Sequence, residues 1–178
     1  MNVALSYSNT VLSVKGVFGW VEALSSSTSL RESIYGYPIL LTSHVVAMCM
    51  FLGLIIMMDL RLAGWGFQRT PFSELQKRMF PWQALGLIMS STTGLLLFYS
   101  QPMRYYGKVF FWMKLGSVGL AGVNALVFHL TTYRSVAKWD RSALPFEARL
   151  AAIMSLALWT GVVVFGRLTA YDWLTFKP

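Results

Sequence analysis

Two histidines are the residues of this chain best suited to chemistry, and both lie in apolar surroundings. His44 begins the stretch HVVAMCMFLGLIIMMDLRLAG (residues 44–64), and His129 lies in LVFHLTTYR (residues 126–134). An imidazole carries protons and is a common ligand for haem iron and other metals. Ionisable groups at membrane depth are costly, so they usually face a protein interior and mark a function or a partner.

Other polar residues are expected to act with these histidines. Lys114 and Arg167 fall at the same depth as His44, where their charges suit haem propionates or an anionic head group. Met113 is a further candidate there, because haem iron accepts a histidine paired with a methionine. The predicted cofactor-binding residues are therefore His44, Met113, Lys114, Arg167 and His129, with His44 and His129 as the metal ligands.

The helix directions separate the two histidines. The first and third helices run the same way, which places His44 and His129 roughly 20 Å apart in depth. Two axial nitrogens of one haem are only about 4 Å apart, so one haem cannot use both residues. A twofold dimer that pairs each histidine with its symmetry mate, or ligation with a methionine, remains possible.

Two other interpretations of these residues stay open. His44, Met48 and Cys49 form a small cluster that suits Cu(I), which prefers soft ligands. Each histidine could equally serve a structural role, as a hydrogen-bond donor to a neighbouring helix. For Asp59 and Arg61, which end the first apolar run, a simple helix-end ion pair is the favoured interpretation.

The amino-acid composition predicts that the helices carrying these residues lie in a membrane. Hydrophobic residues make up 56% of the 178 residues and charged residues only 12%, against norms of roughly 45–50% and about 25%. The sequence predicts an all-α integral membrane four-helix bundle with an N-terminal interfacial amphipathic helix. Spans are expected at about 38–60, 82–100, 109–132 and 149–167, each close to the length that crosses a bilayer.

The predicted domains are an N-terminal interfacial segment (1–29) and a four-helix transmembrane domain (30–178). Residues 10–24 place Val11 and Phe18 on one apolar helical face. The serine-rich residues 25–29 are expected to form a turn. A capping box from Ser29 to Glu32 then predicts a helix that runs through Pro38 into the membrane.

Further landmarks are expected within the spans. Residues 68–82 are expected to form a polar link, with Pro81 in this stretch at the first position of the second long helix. In the third helix Ser117, Ala121 and Ala125 follow the small-residue spacing that lets another helix approach closely.

The net charge of +8 reflects membrane orientation and not nucleic-acid binding. Eight basic residues lie in or beside the first and third connections, against five on the other side. Because cytoplasmic loops carry an excess of lysine and arginine, both termini are predicted to be periplasmic. The eight are Arg61, Arg69, Lys77, Arg78, Arg134, Lys138, Arg141 and Arg149; the five are Lys15, Arg31, Arg104, Lys108 and Lys177.

Several stretches also carry a family resemblance. SHVVAMCMFLGLIIMMDLRLAG, FPWQALGLIMSSTTGLLLF, FWMKLGSVGLAGVNALVFH and GRLTAY resemble a bacterial family of small four-helix membrane proteins, a domain of unknown function, over roughly residues 30–171. The resemblance implies a bacterial inner-membrane location. The layout is distantly similar to transmembrane b-type cytochromes and to the membrane component of copper-resistance systems.

The leading functional hypothesis is an inner-membrane redox subunit that binds haem b or contacts quinone and passes electrons to a partner protein. A copper-handling transporter and a non-catalytic anchor or assembly subunit are the alternatives. The expected partners are the lipid bilayer and either further copies of the chain or the other subunits of a membrane complex.

Overall fold

The structure, a computed structural model, describes residues 14–140 and 144–171. Val11, Arg141 and Lys177, used in the predictions above, lie outside these residues. In chain order the helices of the described residues are α1 (Val14–Glu22), α2 (Ser25–Glu32), α3 (Gly36–Ala63), α4 (Phe72–Ser100), α5 (Pro102–Tyr106), α6 (Val109–Leu130), a 3-10 turn (Tyr133–Ser135), α7 (Val136–Trp139) and α8 (Phe146–Leu168).

The four long helices pack side by side in the spatial order α4–α3–α8–α6. Aromatic rings join α4 to α6 near both ends, with 5.4 Å between the Phe98 and Phe111 centroids and 5.9 Å between those of Phe72 and Phe128. The α3–α4 and α6–α8 connections lie at one end, which we term the basic end, and the α4–α6 connection lies at the opposite end. This arrangement brings residues of three or four helices together at each end.

The length and apolar composition of three of these helices indicate that the chain is a membrane protein in contact with lipid. They are α3, α6 with its short continuation to Trp139, and α8, and each is long and apolar enough to cross a membrane. Large apolar side chains remain exposed in the middle of the helices, including Leu95 at 69% and Leu120 at 61%. A lipid environment removes the cost of exposing them to water.

The helix α4 differs from the other three, although it packs along α3 and has 29 residues. Its composition is less apolar than that of the three helices able to cross a membrane, because Gln83 and the residues from Ser90 to Thr93 lower its mean hydropathy. Of the four spans predicted from sequence, the composition of the described helices thus supports three. The polar residues of α4 have partners on α3, as shown below.

The start of α4 lies earlier than the sequence predicts. It begins at Phe72, with Pro81 inside the helix and not at its first position. Phe72 and Leu75 are buried in an apolar core at the basic end, and Asp140 accepts hydrogen bonds from the backbone N–H and the hydroxyl of Ser73. Packing and capping in the first turn therefore offset the one backbone hydrogen bond that an internal proline removes.

The serine-rich residues form the helix α2 and not a turn. Ser27 is fully buried, and its hydroxyl donates to the carbonyl oxygens of Tyr99 at 2.9 Å and Ser100 at 3.3 Å. These carbonyls belong to the last turn of α4, where intrahelical partners are missing. The expected continuous helix through Pro38 is also wrong, because α2 ends at Glu32 and α3 begins at Gly36, which leaves Pro38 in a first turn that tolerates proline.

The amphipathic helix α1 covers the opposite end of the long helices. Phe18 packs edge-on against Phe98 and Tyr106, with 5.5 Å between the ring centroids in each pair. The carboxylate of Glu22 accepts a hydrogen bond from the backbone N–H of Met103 at 2.9 Å. The N-terminal segment is therefore attached to the α4–α5 region by specific contacts.

The small residues of α6 face α8 over two of the three predicted positions. Ser117 and Ala121 are 9% and 3% exposed, and the two helices pack closely. A Cβ atom at Gly161 of α8 would lie 3.4 Å from the Ser117 hydroxyl oxygen. Ala125 is exposed, so the close approach ends one turn earlier than the spacing suggests.

Candidate functional site

His44 lies on α3 and is held by α4. Its Nδ1 atom is 3.0 Å from the carbonyl oxygen of Ser90 and 3.0 Å from the hydroxyl oxygen of Thr93. The Thr93 hydroxyl donates to the Met89 carbonyl at 2.6 Å, and a carbonyl can only accept. We therefore assign the ring proton to Nδ1, which leaves Nε2 as an acceptor with a free lone pair.

Glycine at position 94 of α4 makes room for this imidazole. A Cβ atom there would lie 3.0 Å from Cε1 of His44 and 3.5 Å from Nδ1. The first of these contacts is tighter than ordinary van der Waals packing, so the absence of a side chain lets the ring lie close against the backbone of α4. Gly94 and the hydrogen bonds to Ser90 and Thr93 together fix the orientation of His44.

Whereas His44 lies on α3 and faces α4, Lys114 lies on α6 and faces α8. Its aliphatic stem packs over Gly166 of α8, where a Cβ atom would lie 3.7 Å from Cδ and 3.8 Å from Cε. The side chain is half-buried, and its charge interacts electrostatically with the His44 imidazole. Within residues 14–140 and 144–171 its ammonium group has no hydrogen-bond acceptor.

The other two residues predicted for this site lie at the same end but turn away. Met113 is 42% exposed, and Arg167 is exposed, with its guanidinium 5.8 Å from the ring centroid of Tyr171. Neither makes a hydrogen bond or ring contact with His44 in the part of the chain that the structure describes. Of the predicted residues, Lys114 is thus the one whose charge acts on His44, whereas Met113 is turned to the surface.

His129 belongs to a different place. It is exposed near the end of α6, with Nδ1 3.1 Å from the Ala125 carbonyl oxygen and its ring 5.1 Å from that of Tyr133. It lines a groove at the basic end together with Lys77 of α4. Positions 77 and 94 of α4 are about 25 Å apart at the helical rise of about 1.5 Å per residue, so the two histidines occupy separate sites, in agreement with the depth argument from sequence.

The buried charges at the basic end differ from the expected ion pair. Asp59 and Arg61 are 7% and 4% exposed, but the guanidinium of Arg61 donates to the Thr70 carbonyl at 2.8 Å and to the Gln68 side chain at 3.3 Å. It therefore holds the α3–α4 connection in place. The Asp59 carboxyl is hydrogen-bonded by Ser155 of α8, and its Oδ2 has no partner among the described residues.

Sequence reasoning recognised the polar residues of α4 but gave them no role. Ser90, Thr93 and Gly94 form one face of a helix at positions separated by three and four residues, and this face is the surface that receives His44. The spacing of three and four residues between Ser90, Thr93 and Gly94 is the signal that could have identified them.

The three residues of the copper cluster suggested by the sequence all lie on α3, with Met48 one turn from His44. Cys49 is exposed and Met48 is half-buried. Across residues 14–140 and 144–171, no group of three or more histidine, cysteine, aspartate or glutamate side chains is placed to hold a metal ion.

Comparison with known proteins gives one match. The sequence model of a family described as a family of unknown function (DUF6644) matches residues 24–172. No curated protein and no solved structure matches the chain.

Proposed function

The chain belongs to DUF6644, a family of unknown function, and we propose that it is a membrane redox subunit that binds the head group of a quinone between His44 and Lys114. One observation carries this proposal. An imidazole acceptor and an ammonium group that has no acceptor among the described residues lie within electrostatic range of each other at the same end of apolar helices. A quinone carbonyl needs a donor and a hydroquinone hydroxyl needs an acceptor, and these two side chains provide both.

The roles of the two residues follow from their atoms. The ammonium of Lys114 donates a hydrogen bond to one quinone oxygen, and Nε2 of His44 accepts the hydroxyl proton of the reduced form. Oxidation of a hydroquinone releases two electrons and two protons. Nε2 of His44 takes the first proton, the second is released to water at the adjacent membrane surface, and both electrons pass to a redox group of the partner protein. The Ser90 carbonyl, which accepts from Nδ1 at 3.0 Å, stabilises the imidazolium that results.

Access from the lipid supports a ligand that is itself dissolved in the bilayer. His44 is half-buried, so part of its side chain is exposed at the surface of the helices. A quinone can therefore approach the imidazole laterally from the hydrocarbon phase, without crossing the packed basic end.

Haem b is a second candidate, favoured by one feature of the same histidine. Metal-ligating histidines usually donate the other ring N–H to a carbonyl or carboxylate, as Nδ1 of His44 does to Ser90. The residues fit a haem less well than a quinone, because Met113, the predicted methionine partner of His44, faces outward at 42% exposure.

The test is the cofactor content of the wild-type protein purified from its native membrane in mild detergent. We expect chromatography of an organic extract to give about one quinone per chain, and the reduced-minus-oxidised absorbance spectrum to show no haem bands. The His44→Gln variant should lose the quinone while it keeps its folded yield. Haem at one per chain would favour the second candidate, and a wild-type protein that binds added quinone no better than His44→Gln would exclude the first.

We further propose that α4 is a fourth crossing, so that the bundle has four spans in a bacterial inner membrane with both termini periplasmic. Its support is the packing of α4 along α3 and the eight-to-five distribution of basic residues. In this orientation the quinone site lies in the periplasmic half of the membrane.

Reporter fusions check this topology. Fusions after Arg69 and Arg141 are expected to behave as cytoplasmic, and a fusion after Lys177 as periplasmic, because positively charged short loops are retained inside. A reporter after Arg69 and one after Gln101 that lie on the same side of the membrane would show that α4 does not cross.

A further inference from the structure

A groove at the basic end, between α4 and the end of α6, has the layout of an amphiphile site. Its volume is about 630 Å³. Seven residues line it. They are Ser73, Glu74, Gln76, Lys77 and Phe80 of α4, His129 of α6, and Tyr133, which follows α6. We refer to it as the basic groove.

Three charged groups bear on the basic groove: Glu74 and Lys77 of its lining, and Asp140, whose carboxylate accepts hydrogen bonds from Ser73 of the lining. Glu74 is neutralised by Arg78, whose guanidinium lies 2.6 Å from the carboxylate one helical turn away. Lys77 is exposed, and its ammonium has no acceptor in the described ranges 14–140 and 144–171. An anionic group entering the groove therefore meets one uncompensated cation.

His129 adds a hydrogen-bond acceptor beside this cation. Its Nδ1 faces the Ala125 carbonyl oxygen at 3.1 Å, which can only accept, so we assign the ring proton to Nδ1 and the lone pair to Nε2. The contact with Tyr133, 5.1 Å between ring centroids, holds the imidazole in this orientation. The ligand should therefore carry a hydroxyl group close to its negative charge.

The polarity of the groove changes along α4. Ser73 and Lys77 lie towards the connection, and Phe80, 58% exposed, lies one turn deeper among the apolar residues. A ligand with a polar head and a hydrocarbon tail matches this gradient, because aromatic side chains near helix ends sit at the boundary between head groups and acyl chains.

We propose that the basic groove binds an anionic phospholipid with a hydroxylated head group. Lys77 donates to the phosphate oxygens, Nε2 of His129 accepts from a head-group hydroxyl, and the acyl chain leaves along Phe80. Basic pockets between helices near the cytoplasmic surface bind anionic lipid head groups by this chemistry. The site is separate from that of His44, and its test does not depend on quinone binding.

Native mass spectrometry of the purified protein with added lipids tests the proposal. Phosphatidylglycerol and phosphatidylmethanol carry the same charge, but only the first has head-group hydroxyls, and phosphatidylcholine has no net charge. We expect wild type to retain them in that order. Lys77→Gln should weaken both anionic lipids about fivefold, and His129→Phe, which keeps the ring contact with Tyr133, should remove the preference for phosphatidylglycerol.

The matched control is Arg69→Gln, which removes one exposed positive charge from the same end but outside the groove. It should retain each lipid as wild type does. Equal retention by Lys77→Gln and Arg69→Gln would overturn the proposal. Displacement of phosphatidylglycerol by inorganic phosphate would also overturn it, by showing that the groove takes a free anion.

Discussion

Replacement of Lys114 by methionine is expected to weaken quinone binding about 10- to 100-fold without loss of stability. The lost interaction is a hydrogen bond from a charged donor, worth about 1.5–3 kcal/mol, and each 1.4 kcal/mol is about a tenfold change in affinity. Methionine keeps an unbranched stem to pack over Gly166. Because the ammonium has no acceptor among the described residues, its removal also removes a desolvation cost.

The measurement pairs a titration of the detergent-solubilised protein with a soluble short-chain quinone and the thermal unfolding midpoint of the same sample. Lys15→Met is the control, since Lys15 is an exposed cation of α1 away from His44. We expect Lys114→Met to lose affinity with an equal or higher midpoint, and Lys15→Met to match wild type. A lowered midpoint with unchanged affinity would instead mean that Lys114 is structural.

The sequence predicted the depth of the candidate residues along the helices better than it predicted which of their side chains face one another. Depth follows from counting residues at a fixed rise, so His44 and Lys114 were expected at one depth, and in the structure the charge of Lys114 acts on His44. Met113 was expected with them, because it has the same depth. Neighbouring residues on a helix point about 100° apart, and the rotation of α6 that turns Lys114 inward turns Met113 outward at 42% exposure. That rotation depends on the packing of α6 against α8, which residue spacing alone did not fix.

The errors in the predicted helix boundaries have a common physical cause. Serine-rich residues and internal prolines are unfavourable for an isolated helix, and both were interpreted from that local preference. In the structure Ser27 gives its hydrogen bonds to the end of α4, and the first turns of α4 are held by the burial of Phe72. Contacts between residues far apart in sequence therefore decided both boundaries.

The pair of Asp59 and Arg61 shows the same limit for charges. Residues two apart on a helix lie on different faces, so the two side chains cannot meet unless the helix ends between them. The helix α3 continues to Ala63, which sends Arg61 to the α3–α4 connection and Asp59 to α8. Residue spacing alone predicted neither the end of the helix nor the partner of each charge.

Replacement of Gly86 by leucine is expected to have the largest effect on the fold, because α3 and α4 are in close contact there. A Cβ atom at position 86 would lie 3.0 Å from Cβ of Phe51 and 3.2 Å from its Cα. The second contact is with backbone, so the helices must separate to admit a side chain. Overpacking of this kind costs about 1–3 kcal/mol, which corresponds to a fall of about 5 °C in the unfolding midpoint.

The same change tests how the quinone site is built. Ser90, Thr93 and Gly94 lie one to two turns further along α4, so a separated α4 can no longer fix the His44 ring, and quinone affinity should fall as well. Gly119→Leu is the matched control, since a Cβ atom at this α6 position would meet nothing within 4 Å. It should keep both the midpoint and the affinity of wild type. If Gly86→Leu lowered the midpoint but bound quinone normally, His44 would be positioned without α4, and the assignment of its ring proton from Ser90 and Thr93 would be wrong.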